Sequence, residues 1–145
     1  TAASSTAFGI AYTGVEGLSV NYAQGGNDAT VGSTADVTTL KATYAFGPVT
    51  VGYQISERDI NSAGSDLETD AWGITYAVSD NISVGYHTSE TTKDTNTNAQ
   101  ESTGLSASYT MGSMTLAGAM NKVDNVAFAA ADDLEGYEFT LSFAF

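Results

Sequence analysis

The chain has 145 residues, the length of one domain, and its 17 acidic residues against 4 Lys plus Arg leave a formal charge of −13, which disfavours nucleic acid as a partner. It contains no cysteine, so a disulfide framework, a thiolate metal site and a cysteine nucleophile are all excluded. No apolar run approaches the roughly 20 residues of a membrane-crossing helix, and any crossing must therefore be made by strands.

The sequence alternates apolar with small or polar residues at the two-residue period of a half-wet β-strand. Phe8, Ile10 and Tyr12 mark a strand over 5–13, and Leu18, Val20 and Tyr22 a second over 18–24, split by Gly14-Val15-Glu16-Gly17. A polar stretch from Gln24 to Asp36 leads to strands over 37–46, with Leu40, Ala42, Tyr44 and Phe46, and 49–57, with Val49, Val51, Tyr53 and Ile55, around Gly47-Pro48. The stretch from Glu57 to Glu68 precedes strands over 69–78 and 81–89 that carry Trp72, Ile74, Tyr76 and Val78, then Ile82, Val84 and Tyr86, around Ser79-Asp80-Asn81. After Ser89 to Glu101 come strands over 102–111 and 113–121, with Leu105, Ala107, Tyr109 and Met111, then Met114, Leu116, Gly118 and Met120, around Gly112-Ser113. The stretch from Asn121 to Asp132 precedes a last strand over 134–145 with Tyr137, Phe139, Leu141, Phe143 and Phe145.

The short breaks recur about every 32 residues with long polar stretches between them, which predicts a meander with tight turns at one end and long loops at the other. The fold class expected is all-β: an antiparallel transmembrane β-barrel with about nine strands visible, its tight turns periplasmic and its acidic long loops extracellular. Tyr12, Phe46, Tyr76 and Tyr109 fall just before short turns, and Tyr22, Tyr53 and Tyr86 about five residues after them, as two aromatic girdles would require. A secreted soluble β-domain is the competing fold. It would pack one face of each sheet as a core and stay monodisperse without detergent.

A bacterial single-chain barrel closes with an even strand count. About nine strands, with the first descending from the long-loop side, lead to the expectation that residues 1–145 form the C-terminal portion of one larger barrel domain. A small eight- or ten-stranded barrel is the alternative.

The pattern Gly14-Val15-Glu16-Gly17-Leu18-Ser19-Val20-Asn21-Tyr22, the segment from Tyr109 through Gly112-Ser113 to Ala119, and the Phe145 ending resemble the alphaproteobacterial general diffusion porins, in their C-terminal half. The resemblance implies a barrel of about 16 strands, a homotrimer, and passage of small hydrophilic solutes and ions through each protomer. It further implies that Phe143 and Phe145, on the last strand, serve as a signal for the outer-membrane assembly machinery. The chain departs from that family in lacking the N-terminal strands and the inward-folding third loop that forms the constriction.

The function expected is passive diffusion across the bacterial outer membrane, without catalysis. A non-conducting anchor or surface adhesion barrel is the alternative. Lys41, Gln54, Arg58, His87 and Glu138 fall on the polar parity and are the candidate pore-lining residues. Lumen charges tune ion preference, and the acidic excess suggests a modest cation bias. Arg58, between Glu57 and Asp59, reads as a loop-base ion pair ahead of a pore filter. His87 is the single histidine, and with no second His or Cys it makes a poor metal site. One histidine among unremarkable polar loops gives no support to a catalytic triad, and Gly25-Gly26 is not followed by the Lys-Ser/Thr of a phosphate-binding loop. No cofactor is expected. The loops around Asp28, Asp66 and Asp132-Asp133 allow at most weak Ca²⁺ binding, since EF-hand spacing is missing. Expected partners are outer-membrane lipid and lipopolysaccharide, reached through divalent bridges to the acidic loops.

Overall fold

A computed structural model describes residues 4–28, 34–60 and 66–144. Nine strands form one sheet: β1 (Ser4–Tyr12), β2 (Leu18–Asp28), β3 (Ala35–Phe46), β4 (Val49–Ile60), β5 (Leu67–Ser79), β6 (Ile82–Lys93), β7 (Gln100–Met111), β8 (Met114–Asp124) and β9 (Leu134–Phe143). Each is hydrogen-bonded antiparallel to its sequence neighbours in the order β1 to β9. Among the described residues β1 and β9 have no further partner strand, so both are sheet edges.

The short turns explain themselves locally. Gly47-Pro48 and Gly112-Ser113 are two-residue hairpin loops between the pairs Phe46↔Val49 and Met111↔Met114. Gly47 (φ 54°) and Gly112 (φ 59°) supply the positive φ that such a loop needs at its first position. At Asp80-Asn81 the turn is instead held by the Ser79 hydroxyl, which accepts from the Ile82 N–H at 3.2 Å, beside a register shift between Ala77 and Ser79.

Register decides which residues share a face, because directly opposed residues in an antiparallel pair point the same way. Ile10↔Tyr22, Tyr22↔Leu40 and Leu40↔Ile55 continue one face across β1–β4. Val51↔Ile74, Ile74↔Tyr86, Tyr86↔Leu105, Leu105↔Met120 and Met120↔Tyr137 continue it to β9. No large hydrophobic side chain is buried among the described residues, and Phe8, Ile10, Phe46, Tyr137 and Phe139 are all more than half exposed. A water-soluble sheet covers such a face with a second layer; here the layer is bare.

The strands run past the ends expected from sequence. β4 continues to Ile60, β6 to Lys93 and β8 to Asp124, while β5 begins at Leu67 and β7 at Gln100. A pairing row starting at Tyr12↔Val20, beside the first short turn, passes through Ala42, Tyr53, Trp72 and Thr88 to Thr103↔Lys122, at the far end of the fourth hairpin. With the short turns at one level, the row climbs about one residue per strand. At about 3.3 Å per residue and 4.8 Å between strands, this is a strand tilt of about 35°, the geometry of a transmembrane barrel wall.

The long connection between β8 and β9 is not extended throughout. A short 3₁₀ turn, Val126–Phe128, lies among residues with positive φ at Asn125, Ala127, Phe128 and Ala131. It is tied to the start of β7 by Asn125 Nδ2 donating to the Ala99 carbonyl (2.9 Å) and the Ala127 N–H donating to Gln100 Oε1 (2.9 Å).

Candidate functional site

The opposite face of the sheet is polar and narrow in side-chain size. Hydroxyls meet across strands at Thr39–Ser56 (3.0 Å), Thr69–Thr91 (2.9 Å), Ser83–Ser108 (2.8 Å) and Thr110–Thr115 (3.0 Å). Each of these pairs is directly opposed in the register. Such pairs stabilise a sheet modestly while leaving hydroxyl lone pairs for water.

All five residues singled out on polar parity lie on this face. Lys41 and Gln54 are direct partners, His87 opposes Gly73 and Gly104, and Glu138 opposes Ala119. Counted along their strands, Lys41, Gln54, His87 and Glu138 stand roughly six or seven residues above the short turns. They share one level, with Gly73, Ser106 and Ala119 between them. Arg58 stands four residues higher, on the row Val37↔Arg58↔Leu67↔Lys93. A shallow hollow of about 280 Å³ opens on this face over Gly52, Gly73 and Gly85, with Lys41 and His87 on its rim.

The His87 imidazole lies over Gly104 of β7. A Cβ built on Gly104 would sit 2.6 Å from His87 Nε2 and 2.6 Å from Asn121 Oδ1, and Gly104 is the buried residue beneath. Sequence periodicity alone does not reveal this seat, because it depends on a glycine brought opposite by register.

Arg58 forms no ion pair with Glu57 or Asp59, contrary to the pairing that the sequence favours. Adjacent residues of a strand point to opposite faces, and among the described residues the ion pair is Lys122–Asp124 (2.6 Å). Lys93 joins the polar face as well; the expected strand stopped before it.

The acidic residues are the larger correction. Many lie in strands and not in loops, on the same parity as the apolar residues: Asp36, Glu57, Asp59, Glu68, Asp70, Glu90, Glu101, Asp124 and Glu135. All stand about nine residues or more above the short turns, which at a tilt of about 35° is roughly 25 Å, the height of a barrel's apolar band. Asp70, Glu90, Glu101 and Asp124 oppose one another in sequence across β5–β8. Like charges so placed are destabilising unless water and salt screen them. Just below them the Tyr53 hydroxyl donates to Asp70 (2.5 Å), and Trp72 packs against Tyr86 with ring centroids 5.4 Å apart.

Two of the loop carboxylates named for Ca²⁺ accept backbone hydrogen bonds. Asp66 Oδ1 accepts from the Ile60 N–H (2.7 Å) and Asp133 Oδ1 from the Asn125 N–H (3.3 Å). Among the described residues no three His, Asp or Glu side chains are placed to hold a metal ion. The Asp28 side chain and Phe145 lie outside the described residues. Phe143 ends β9 on the apolar face, with the Ala144 N–H bonded to the Ser113 carbonyl (2.8 Å).

Comparison with solved structures finds this fold in an outer-membrane protein and in porins. OmpT of Vibrio cholerae is similar over 99% of this chain and 56% of its own, at 18% identity and a TM-score of 0.67; it has also been solved in a trimer form. The NanC porin matches over 99% of this chain and 79% of its own, at 11% identity and a TM-score of 0.71. Another porin matches over 94% of this chain and 50% of its own, at 20% identity and a TM-score of 0.71. The chain thus spans about half the length of OmpT and of the latter porin. No protein-family profile and no curated protein sequence matches it.

Proposed function

We propose that the nine strands are part of the wall of a closed outer-membrane barrel that conducts small hydrophilic solutes and ions by passive diffusion. The observation that carries this reading is the division between faces. Apolar side chains cover one face up to roughly 25 Å and charge begins only above it, while the other face is lined with hydroxyls, glycines and a level set of Lys41, Gln54, His87 and Glu138. A charged residue on a lipid-facing strand costs about 2–4 kcal/mol at mid-membrane and about 0–1 kcal/mol near the interface, which explains why outward charge is confined to the rim. The polar face then lines water, and a solute crossing it exchanges hydration for hydroxyl contacts without a chemical step.

The fold shared with porins supports this assignment, and the trimer form of OmpT supports a homotrimer as the assembled state. This reading puts the outward acids at the height of lipopolysaccharide headgroups and assigns that lipid to them as a partner. Phe143 and Phe145 are assigned to recognition by the assembly machinery. Replacing Phe145 with Ser is expected to lower the folded yield in the outer membrane while sparing the refolding midpoint in detergent; an unchanged yield would remove that role.

The test of the channel itself is conductance of the intact protein in planar bilayers. Stepwise, voltage-tolerant ohmic currents are expected. Membrane insertion without conductance would replace the diffusion channel by a non-conducting anchor.

A further inference from the structure

The net charge of −13 gives no indication of the charge that a solute on the polar face would meet. Of the four basic residues in the chain, Lys41, Arg58 and Lys93 lie on that face, and the fourth, Lys122, faces outward in its ion pair with Asp124. The acids divide the other way. Within the described strands Glu138 is the acid on the polar face, on β9, three strands beyond β6, and the rest point outward above the apolar band. The three cations are unpaired within 4 Å among the described residues. They climb the wall together, Lys41 beside the glycine-floored hollow and Arg58 and Lys93 on one row nearer the long loops.

On the channel reading above, we propose that β3–β6 form a cationic track that favours small anions over cations of equal size, against the sign of the whole chain's charge. An anion moving along the wall meets Lys93 and Arg58 first and Lys41 at the glycine hollow, where the missing side chains let it approach the sheet. The outward acids act from the other side of the wall, at headgroup height, where salt screens them within about 10 Å at 0.1 M. Sequence composition suggested a cation bias because it counts every charge alike; the register sorts charges by face.

The experiment is the reversal potential of the intact protein under a KCl gradient, with Lys41→Gln, Arg58→Gln and Lys93→Gln singly and combined. Each neutralisation is expected to lower the chloride-to-potassium permeability ratio by about two-fold, the effect on the two ions together of one unit charge roughly 10 Å away in water once 0.1 M salt screens it. The shift should shrink as salt rises to 1 M, where the screening length is about 3 Å. Lys41→Arg should keep the wild-type ratio, which separates charge from a folding defect. The paired change Glu90→Gln with Glu101→Gln should leave the ratio unchanged. A conducting protein whose ratio is insensitive to all three cations, or which responds to the outward acids as strongly, overturns the track and leaves the channel standing. A protein that does not conduct overturns both.

Discussion

His87 depends on a side chain that is absent from the neighbouring strand. Its imidazole occupies the space a Cβ at Gly104 would claim, with Asn121 Oδ1 beside the same point, so the ring rests against the sheet at the edge of the hollow beside Lys41. Gly104→Val drives a branched side chain into both neighbours. Overpacking of this kind costs about 1–3 kcal/mol, and the refolding midpoint in detergent should fall accordingly. In a His87→Ala background the same valine meets only Asn121, and part of the loss should return, as a coupling of about 0.5–3 kcal/mol between touching residues. If the valine costs the same in both backgrounds, the imidazole does not rest on Gly104. Arg58 illustrates the same dependence on direction: Glu57 and Asp59 are its nearest neighbours in sequence, yet strand geometry turns both away from it.

At the scale of the strand, the band of apolar residues is a statement about depth that substitutions can measure. β7 offers three positions: Ala107 at mid-band and Thr103 at its upper edge share the apolar face, while Ser106 lies on the polar face. Ala107→Arg is expected to cost about 2–4 kcal/mol, Thr103→Arg about 0–1 kcal/mol, and Ser106→Arg little, since its guanidinium remains in water. Equal costs at Ala107 and Thr103 in bilayer refolding titrations would contradict a membrane-spanning strand. This depth dependence also explains how far the strands were legible in the sequence. Inside the band one face must be apolar and the other wet, so residues such as Val51, Tyr53 and Ile55 announce the strand and its face. Above it both faces meet water and the contrast disappears: Asp70, Glu90 and Glu101 continue the apolar parity, while Val37, Leu67, Val123 and Leu134 appear on the polar one. The alternation therefore stops short of the strand ends and leaves Lys93 beyond the sixth strand it marks. The turn at Val126–Phe128 was hidden for another reason. Its left-handed residues are not glycines, and it is held by tertiary bonds to Ala99 and Gln100.

For the whole molecule the decisive feature is the pair of open edges. The Ala144 N–H bonds to Ser113 on the β8 side, and donors alternate along an antiparallel strand, so the N–H groups of Tyr137, Phe139, Leu141 and Phe143 point away from β8. These are the residues of the apolar face, and among them Phe139 is 81% exposed. In hydrocarbon each unpaired backbone group costs several kcal/mol, so a row of them at mid-membrane exceeds the whole stability of an ordinary domain, about 5–15 kcal/mol. A bilayer therefore forces another strand onto this edge, and the stagger of about one residue per strand sets the register at which it must arrive. The prediction is that in the intact protein in bilayer discs the amides of Phe139 and Leu141 exchange hydrogen as slowly as those of Leu116 and Gly118 in the sheet interior. Lipid alone slows exchange by excluding water, so the comparison is repeated in urea below the unfolding midpoint, where a paired edge stays protected until global unfolding. Exchange at Phe139 and Leu141 far ahead of Leu116 under those conditions would mean an unclosed sheet, and with it the loss of the sealed wall on which both the channel and its charge preference rest.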